Sequence, residues 1–452
     1  MSKLVRGLSL GQSVAINMID MVGIGPFVTM PFVIGAMSGP KSIIAWLLGA
    51  LLAFADGAVW AELGAKWPEA GGSYAFLQNL YGRQKWGRMM AFLYVWQTSI
   101  QAPLVIASGA IGFAQYLTYL IPSLGPIEQK AVSGGLVILI TVLLYRRISD
   151  IGKISVVMGM IVIGTILWLI ASGFSHFDPS LSFAGGAKDL MPDLSPLFFF
   201  GLGQATLKTV YSYLGYYNVC HLGGEIKEPE INISRSIFIS IAGIAILYLS
   251  MHTAVLGTIP WQEAKDSKFI VSLFFERIYG HTAALVATVL VLLIAVSSLF
   301  AVMLGYSRVP YAAATDGNFF SIFSRLHPTK NFPYVSLLVL AGVAFVFSLL
   351  FRLGEVISAI VTMRIIIQFV GQAVGLLLYH ARMKDEKFPY RMLLYPIPAL
   401  IALVVWGFIF CYADIEFIIG ALGVIATGAL LYLIKANISH EWPFAPAKTG
   451  SK

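Results

Sequence analysis

The stretch Gly23-Ile24-Gly25-Pro26-Phe27 interrupts an apolar run, residues 9–36, that is otherwise long enough to cross a membrane. In a bilayer, each backbone N–H or C=O group without a partner costs several kcal/mol, so non-helical backbone persists at membrane depth only where protein buries it or where it lines a cavity. A broken membrane helix therefore indicates a binding site. The alternative is a pair of glycines that lets two helices pack closely, and this stretch alone does not decide between the two.

The composition indicates a membrane protein. Of the 452 residues, 58% are hydrophobic and 12% are charged, whereas soluble proteins carry about 25% charged residues. The charged residues form short clusters between apolar runs of about 20 residues, the length of a spanning helix, while barrel strands would alternate over about 10 residues. The sequence therefore predicts an all-α integral membrane protein.

Division of the sequence at its charge clusters and its Pro- or Gly-rich turns predicts twelve transmembrane helices. The predicted spans are residues 9–36, 41–65, 88–120, 128–146, 151–174, 195–226, 235–259, 281–312, 332–352, 355–381, 392–413 and 415–435. An even number places both termini on one side of the membrane. If that side is the cytoplasm, roughly 20 Lys and Arg residues fall in inner loops against about 7 in outer loops, in agreement with the positive-inside rule. We therefore expect a multi-pass protein of the inner (cytoplasmic) membrane with cytoplasmic termini.

The charge and the motifs exclude several other classes. The net charge of +8 does not predict a nucleic-acid partner, because the Lys and Arg residues flank apolar segments and form no continuous basic face. Cys220 and Cys411 both fall within predicted helices, and no Cys/His spacing indicates a disulfide framework or a metal site. The sequence has no nucleotide-binding loop and no catalytic His/Glu cluster, so we expect neither a cofactor nor enzymatic activity. The short polar N-terminus predicts no removable signal peptide.

A second interruption lies in span six, where Tyr213-Leu214-Gly215-Tyr216-Tyr217 falls in mid-run and Gly223-Gly224 follows. Spans one and six are five helices apart. Two broken helices at corresponding positions of two five-helix halves are typical of inverted-repeat transporters, whose half-helix ends meet near the bilayer midplane. The expected divisions are a first repeat over residues 1–174, a second repeat over 175–390, two further helices over 391–435 and a cytoplasmic tail over 436–452.

Several motifs together resemble the amino acid–polyamine–organocation (APC) transporters, which have the LeuT-like fold, and especially their bacterial L-amino-acid-transporter-like members. Residues 23–27 resemble the family's Gly-Ser-Gly-Ile-Phe of helix one, and Ala61-Glu62-Leu63-Gly64-Ala65-Lys66-Trp67-Pro68-Glu69-Ala70-Gly71-Gly72-Ser73-Tyr74 is similar to its helix-two signature. Residues 211–216 resemble its helix-six motif, and residues 308–317 resemble the stretch after helix eight. The resemblance runs through most of the chain.

This resemblance implies a 5+5 inverted repeat with broken helices one and six and an amino acid as the substrate. It places Tyr211 at the family's aromatic gate, where a ring covers the bound substrate from the outer side. We assign Tyr216 to the same gate, at a position where many members have tryptophan. Ile24 and Pro26 depart from the family pattern and bear on the identity of the substrate. The connection between spans three and four has no cysteine, so we expect no disulfide-linked heavy chain.

The two breaks would present opposite helix ends to a zwitterion. The N-terminus of a half-helix has free N–H groups and a partial positive charge, and the C-terminus has free carbonyls and a partial negative charge. The amides expected to bind a carboxylate are those of Ile24, Gly25 and Phe27. The carbonyls expected to bind an ammonium group are those of Met21, Tyr211 and Leu214. Glycines such as Gly25 and Gly215 would allow the close approach and the backbone freedom that such a site needs.

Side chains that discriminate between substrates are expected on spans three, eight and ten, one face of each helix being turned to the site. The candidates are Trp96, Gln97, Gln101, Ser297, Phe300, Val302, Arg364 and Gln368. The alternative for each is an ordinary helix contact. Arg364 is the most informative, because an isolated charge at membrane depth costs about 2.5 to 3.5 kcal/mol. It could pair with an acidic substrate side chain, or it could neutralise Asp20 or Asp56, and the sequence leaves both readings open.

Lys153 lies near the start of span five. An ionisable residue at membrane depth is a functional hypothesis, with snorkelling to the cytoplasmic surface as the alternative. Its position resembles the helix-five lysine of sodium-independent family members, whose ammonium group bridges the helix-one break and helix eight where sodium-coupled relatives bind an ion. The resemblance therefore implies that Lys153 replaces that ion and contacts Ser297 or Ser298.

Three further charges lie at the predicted cytoplasmic ends of spans six, seven and eight. They are Glu225, Arg235 and Arg308. Salt bridges between them would form an inner gate, whereas solvated loop charges are the alternative, and exposed ion pairs contribute little stability.

The sequence thus predicts a secondary active or exchange transporter that moves amino acids by alternating access, without sodium, around a site between the breaks of spans one and six. Two alternatives remain. One is a proton-coupled transporter of polyamines or other amines. The other is an amino acid sensor on the same fold that does not transport.

Overall fold

The computed structural model describes residues 4–351 and 353–444. Within these residues the chain forms twelve helical spans and no β-strand, so the predicted all-α membrane architecture is confirmed. Residues 445–452 of the predicted tail lie outside the described ranges. Short helices occupy several connections, and the two longest, Ser73–Leu80 and Ile270–Tyr279, were not predicted because neither is long enough to cross a bilayer.

The spans are numbered in chain order and keep these numbers below. They are span one, Leu10–Met21 and Gly25–Ala36; span two, Ser42–Lys66; span three, Trp86–Leu117; span four, Pro126–Leu144; span five, Ile148–Ser175; span six, Pro196–Tyr213 and Asn218–His221; span seven, Pro229–Leu256; span eight, His281–Tyr306 and Arg308–Thr315; span nine, Tyr334–Leu350; span ten, Leu353–Arg364, Ile365–Val370 and Gly371–Arg382; span eleven, Ile397–Cys411; and span twelve, Ile415–Ile438. Eight of them are apolar and long enough to cross a membrane, when the consecutive segments of spans eight and ten are each taken as one continuous helix, and span one does so as a bent pair.

Spans one and six are broken where the sequence predicts. The two halves of span one are bent by 46° across residues 22–24, and Pro26 stands in the first turn of the second half. Proline fits there because it has no N–H to leave unpaired and its φ already suits a helix. In span six the helix stops after Tyr213, and Gly215 adopts a φ of +124°, a conformation that other residues rarely adopt.

The two breaks pack directly against each other. A Cβ atom on Gly215 would lie 2.8 Å from the backbone nitrogen of Met21, so a glycine is needed for this approach. The hydroxyl of Tyr248, in span seven, donates to the carbonyl of Met21 at 2.8 Å and to that of Ser212 at 3.2 Å. Span seven therefore holds both broken helices at the point where each one ends.

One end of the helix bundle, which we call the terminal face, carries residues 4–9 and 439–444. The amides of Gly7 and Leu8 donate to the carbonyl of Glu225 at 2.8 and 3.0 Å, so the segment before span one is tied to the segment after span six. The side chain of Glu225 accepts two hydrogen bonds from Arg308, at 2.8 and 2.9 Å, with both residues buried. Arg235 is exposed and takes no part, so only two of the three predicted gate charges form a pair.

We predict that Glu225→Gln destabilises the folded protein by about 3 to 5 kcal/mol, because it leaves the buried guanidinium of Arg308 without a counter-charge. Thermal unfolding of the purified protein in detergent measures this change. Glu69→Gln is the matched control, since Glu69 pairs with Arg83 at 3.2 Å with both side chains exposed, and its effect should stay within about 0.5 kcal/mol. Equal effects of the two variants would contradict the prediction.

Candidate functional site

An internal cavity of about 50 Å³ lies where the breaks of spans one and six meet. Its walls come from spans one, three, six, eight and ten. The predicted site residues that line it are Met21, Ile24, Gly25, Tyr211, Leu214, Gly215, Ser298, Val302 and Arg364. Phe27, Gln101, Lys153, Tyr216 and Ser297 do not line it. The structure thus brings together the backbone residues of both breaks and separates several of the predicted side chains from them.

The second half of span one begins at the cavity with free amides. In the described part of the chain, the amides of Ile24, Gly25 and Phe27 have no protein acceptor, and no side chain caps this helix. Pro26 has no N–H group, so it adds no donor and leaves none unpaired. These free N–H groups and the positive end of the helix dipole suit an anionic group. The side chain of Phe27 is buried in the core, so only its amide is available for such a role.

The first half of span six ends at the cavity with free carbonyls. Those of Tyr211 and Leu214 accept no hydrogen bond from the described residues. The carbonyl of Met21, also predicted to be free, already accepts the hydroxyl of Tyr248 and keeps one lone pair for another donor. The acceptors for a cationic group are therefore supplied mainly by span six.

Tyr211 lines the cavity beside the start of the second half of span one. Its ring packs on Gly25, where a Cβ atom would approach Tyr211 Cε1 to 3.1 Å. Its hydroxyl is hydrogen-bonded to that of Ser108, in span three, at 3.0 Å. The ring of Tyr211, which belongs to span six, therefore contacts spans one and three at the cavity.

Tyr216 does not line the cavity. Its hydroxyl donates to Asp56 Oδ2 at 2.5 Å, and Trp406 Nε1 donates to Asp56 Oδ1 at 3.3 Å. Tyr216 therefore ties span six to span two, and Asp56 is stabilised by neutral donors. The assignment of Tyr216 to a gate is corrected accordingly. Its position one residue after Gly215 turns its side chain away from the cavity.

The structure also corrects the predicted tether at the span-one break. Lys153 is exposed and forms no hydrogen bond or ion pair with the described residues; it lines a surface groove with Ser297, whose hydroxyl donates to Leu293. Lys153 does not reach the break because span five packs against span one through a different face. That face includes Gly159, where a Cβ atom would lie 3.5 Å from Ala15. Lys153 is on another face of the helix. Only Ser298 reaches the break, by donating to the carbonyl of Asp20 at 3.3 Å.

Arg364 reaches the cavity as a buried cation. Its two terminal nitrogens donate to the hydroxyls of Tyr217 and Tyr306, and its Nε has no partner. No carboxylate of the described residues lies within 4.0 Å of it, so it forms a direct ion pair with neither Asp20 nor Asp56. Two phenols hold the guanidinium without neutralising it.

Gln101 is buried behind the cavity wall. Both polar atoms of its side-chain amide lack a partner, as do those of Gln97 and Gln368. Buried amides of this kind normally bind ordered water. Gln101 lies beside Tyr306, which lines the cavity, and its predicted contact with a substrate stays a prediction.

Three tyrosines that position the site were not predicted from the sequence. Tyr217, Tyr248 and Tyr306 position Arg364 and the two breaks, yet tyrosine is common in membrane helices and no spacing marks these three. Asp20 was noted as an intramembrane charge that Arg364 could neutralise, and the structure places it in the cavity wall.

Comparisons with known proteins find similar sequences over most of this chain. The profile of a family described as amino acid permease matches residues 8–433. The serine/threonine exchanger SteT of Bacillus subtilis is 25% identical over 84% of this chain and 85% of its own. The aspartate–proton symporter of the same organism is 24% identical, covering 79% of this chain and 70% of its own, and the branched-chain amino acid permease BcaP is 24% identical over 70% of each chain. These relatives differ in substrate, so none of them identifies what this chain binds.

We predict that Gly215→Ala disrupts the site, because alanine at this φ is strained by about 1 to 3 kcal/mol and its Cβ would press on the backbone of span one. Gly11→Ala is the control, since nothing lies within 4 Å of a Cβ atom there, and it should be neutral or stabilising by up to about 1 kcal/mol. Melting temperature and ligand-induced stabilisation measure the two effects. A Gly215→Ala protein with both properties unchanged would contradict the prediction.

Proposed function

The chain belongs to the amino acid permease family, and we propose that it transports small neutral amino acids across the cytoplasmic membrane by alternating access. The observation that carries the proposal is the pairing of unoccupied donors and acceptors around one cavity. The free amides of span one suit a carboxylate, and the free carbonyls of span six suit an ammonium group. An amino acid zwitterion carries both groups on adjacent atoms.

The size of the cavity supports a small substrate. One water needs about 10 to 15 Å³ by this measure, so the cavity of about 50 Å³ holds a few waters or a ligand with few non-hydrogen atoms. Glycine, alanine and serine are of that size. An aromatic amino acid would require Tyr211 or the walls from spans three and eight to move.

Alternating access requires a barrier on each side of the site. On the terminal face, the buried Glu225–Arg308 pair and the bonds of Gly7 and Leu8 to Glu225 close the route. On the other side, the ring of Tyr211 would cover the cavity. We place the terminal face in the cytoplasm, because the distribution of Lys and Arg favours that orientation.

We also propose that transport does not require sodium. Lys153 does not support this point, because it is exposed and does not occupy the position of an ion at the span-one break. Two relatives are described as an exchanger and a proton symporter, which supports transport without sodium. We also propose that the protein acts as a carrier without a catalytic step and without a disulfide-linked heavy chain.

We predict that proteoliposomes loaded with unlabelled alanine take up labelled alanine by counterflow, and that replacement of sodium by choline leaves the rate unchanged. Glycine and serine should compete for uptake, and tryptophan should not. Binding without flux would indicate a sensor and overturn the transport proposal. A response to polyamines alone would overturn the zwitterion site.

We predict that Gly25→Leu abolishes this uptake, because its side chain would fill the space between the break and Tyr211. Gly420→Leu is the matched control. Gly420 is exposed in span twelve, with nothing within 4 Å of a Cβ atom, so its uptake should equal that of the wild type. Full activity of Gly25→Leu would show that the substrate binds elsewhere.

A further inference from the structure

Asp20 has an ionisable side chain in the cavity wall. Recognition of a zwitterion by backbone amides and carbonyls does not use this side chain. Asp20 lies in the last turn of the first half of span one. A Cβ atom on Gly215 would lie 2.9 Å from Asp20 Cγ, so the carboxyl group rests against the break of span six. It is therefore close to the same helix ends that present the free carbonyls.

The carboxylate of Asp20 is incompletely paired. Among the described residues it forms no ion pair, and the side-chain amide of Asn218 is the donor that lies beside it, while its backbone carbonyl accepts a hydrogen bond from Ser298. Asp56 shows the contrast, because a phenol and an indole donate to its oxygens at membrane depth. A carboxylate accepts up to about four hydrogen bonds, and one that is not fully paired at membrane depth is costly, so the remaining hydrogen-bonding positions of Asp20 point to a ligand that supplies donors.

The charges around the cavity favour a cationic group at this position. The C-terminal end of the half-helix adds partial negative charge, and the free carbonyls of Tyr211 and Leu214 add acceptors. Arg364 lines the same cavity beyond ion-pairing distance and balances the formal charge of Asp20. A ligand that is neutral overall but carries a localised cation therefore fits without leaving an excess charge.

We propose that Asp20 is a specificity-determining residue that binds the ammonium group of the substrate directly. The site then requires a protonated amine and rejects the 2-hydroxy acid of the same shape. This inference rests on the proposed function, in which the substrate is an amino acid. It adds a side-chain carboxylate to a site that otherwise binds the substrate through backbone groups alone.

The test is a thermodynamic cycle between the protein side chain and the ligand group. Affinities for alanine and for lactate, which has a hydroxyl in place of the ammonium group, are measured by ligand-induced thermal stabilisation and by competition for alanine counterflow. In the wild type, alanine should bind at least tenfold more tightly than lactate. In Asp20→Asn, alanine affinity should fall by about 10- to 100-fold, as expected for a lost charge-assisted hydrogen bond, while lactate affinity stays within a few fold. The alanine-over-lactate ratio should therefore collapse.

Asp266→Asn is the control for the charge change itself. Asp266 is exposed in the connection between spans seven and eight, so this variant should keep both affinities. An Asp20→Asn protein that retains the wild-type ratio of alanine affinity to lactate affinity overturns the role of Asp20. A wild-type protein that binds lactate as tightly as alanine also overturns it, and this second result does not depend on whether the variant folds. A wild type that binds no amino acid at all overturns the proposed function instead, so the two failures are distinguishable.

Discussion

The cost of an unpaired backbone group inside a bilayer is the constraint on which the rest of this structure depends. That cost is several kcal/mol for each group, and two helices of this chain nevertheless end and begin again at membrane depth. The protein offsets part of it within the fold, because Tyr248 donates to carbonyls at both breaks. The remaining free groups converge on one cavity, where a substrate with a cation and an anion on neighbouring atoms can satisfy them.

Several charged side chains within the spans are stabilised by hydrogen bonds from or to neutral side chains. Tyr216 and Trp406 donate to Asp56, and Lys208 donates to Ser358 at 2.8 Å. Neutral partners of this kind disperse a charge without neutralising it. The buried pair of Glu225 and Arg308, by contrast, is a direct ion pair on the terminal face. Direct pairing thus closes one side of the protein, whereas the charges of Asp20 and Arg364 remain available at the cavity.

The cavity separates what the proposed site shares among amino acids from what would select one of them. In the proposed site, the amides of span one would recognise a carboxylate through backbone alone, a mode that suits every amino acid. Selectivity must come from the walls, where Ile24, Tyr211 and Arg364 limit the space and set the charge. Relatives of about one quarter identity can keep the helix breaks and change these walls.

The sequence by itself determined the membrane class, the twelve spans and the two breaks, because hydrophobic length and the positions of Gly23, Gly25 and Gly215 are local properties of the chain. It also predicted which backbone groups would bind a substrate, and that assignment stays a prediction. Only the tertiary structure decided which side chains reach the cavity. Lys153 and Tyr216 lie within the correct spans yet turn away, and Asp20 and Tyr306 turn inward, since a helix exposes each residue in one direction and the packing of its neighbours decides which direction meets the site.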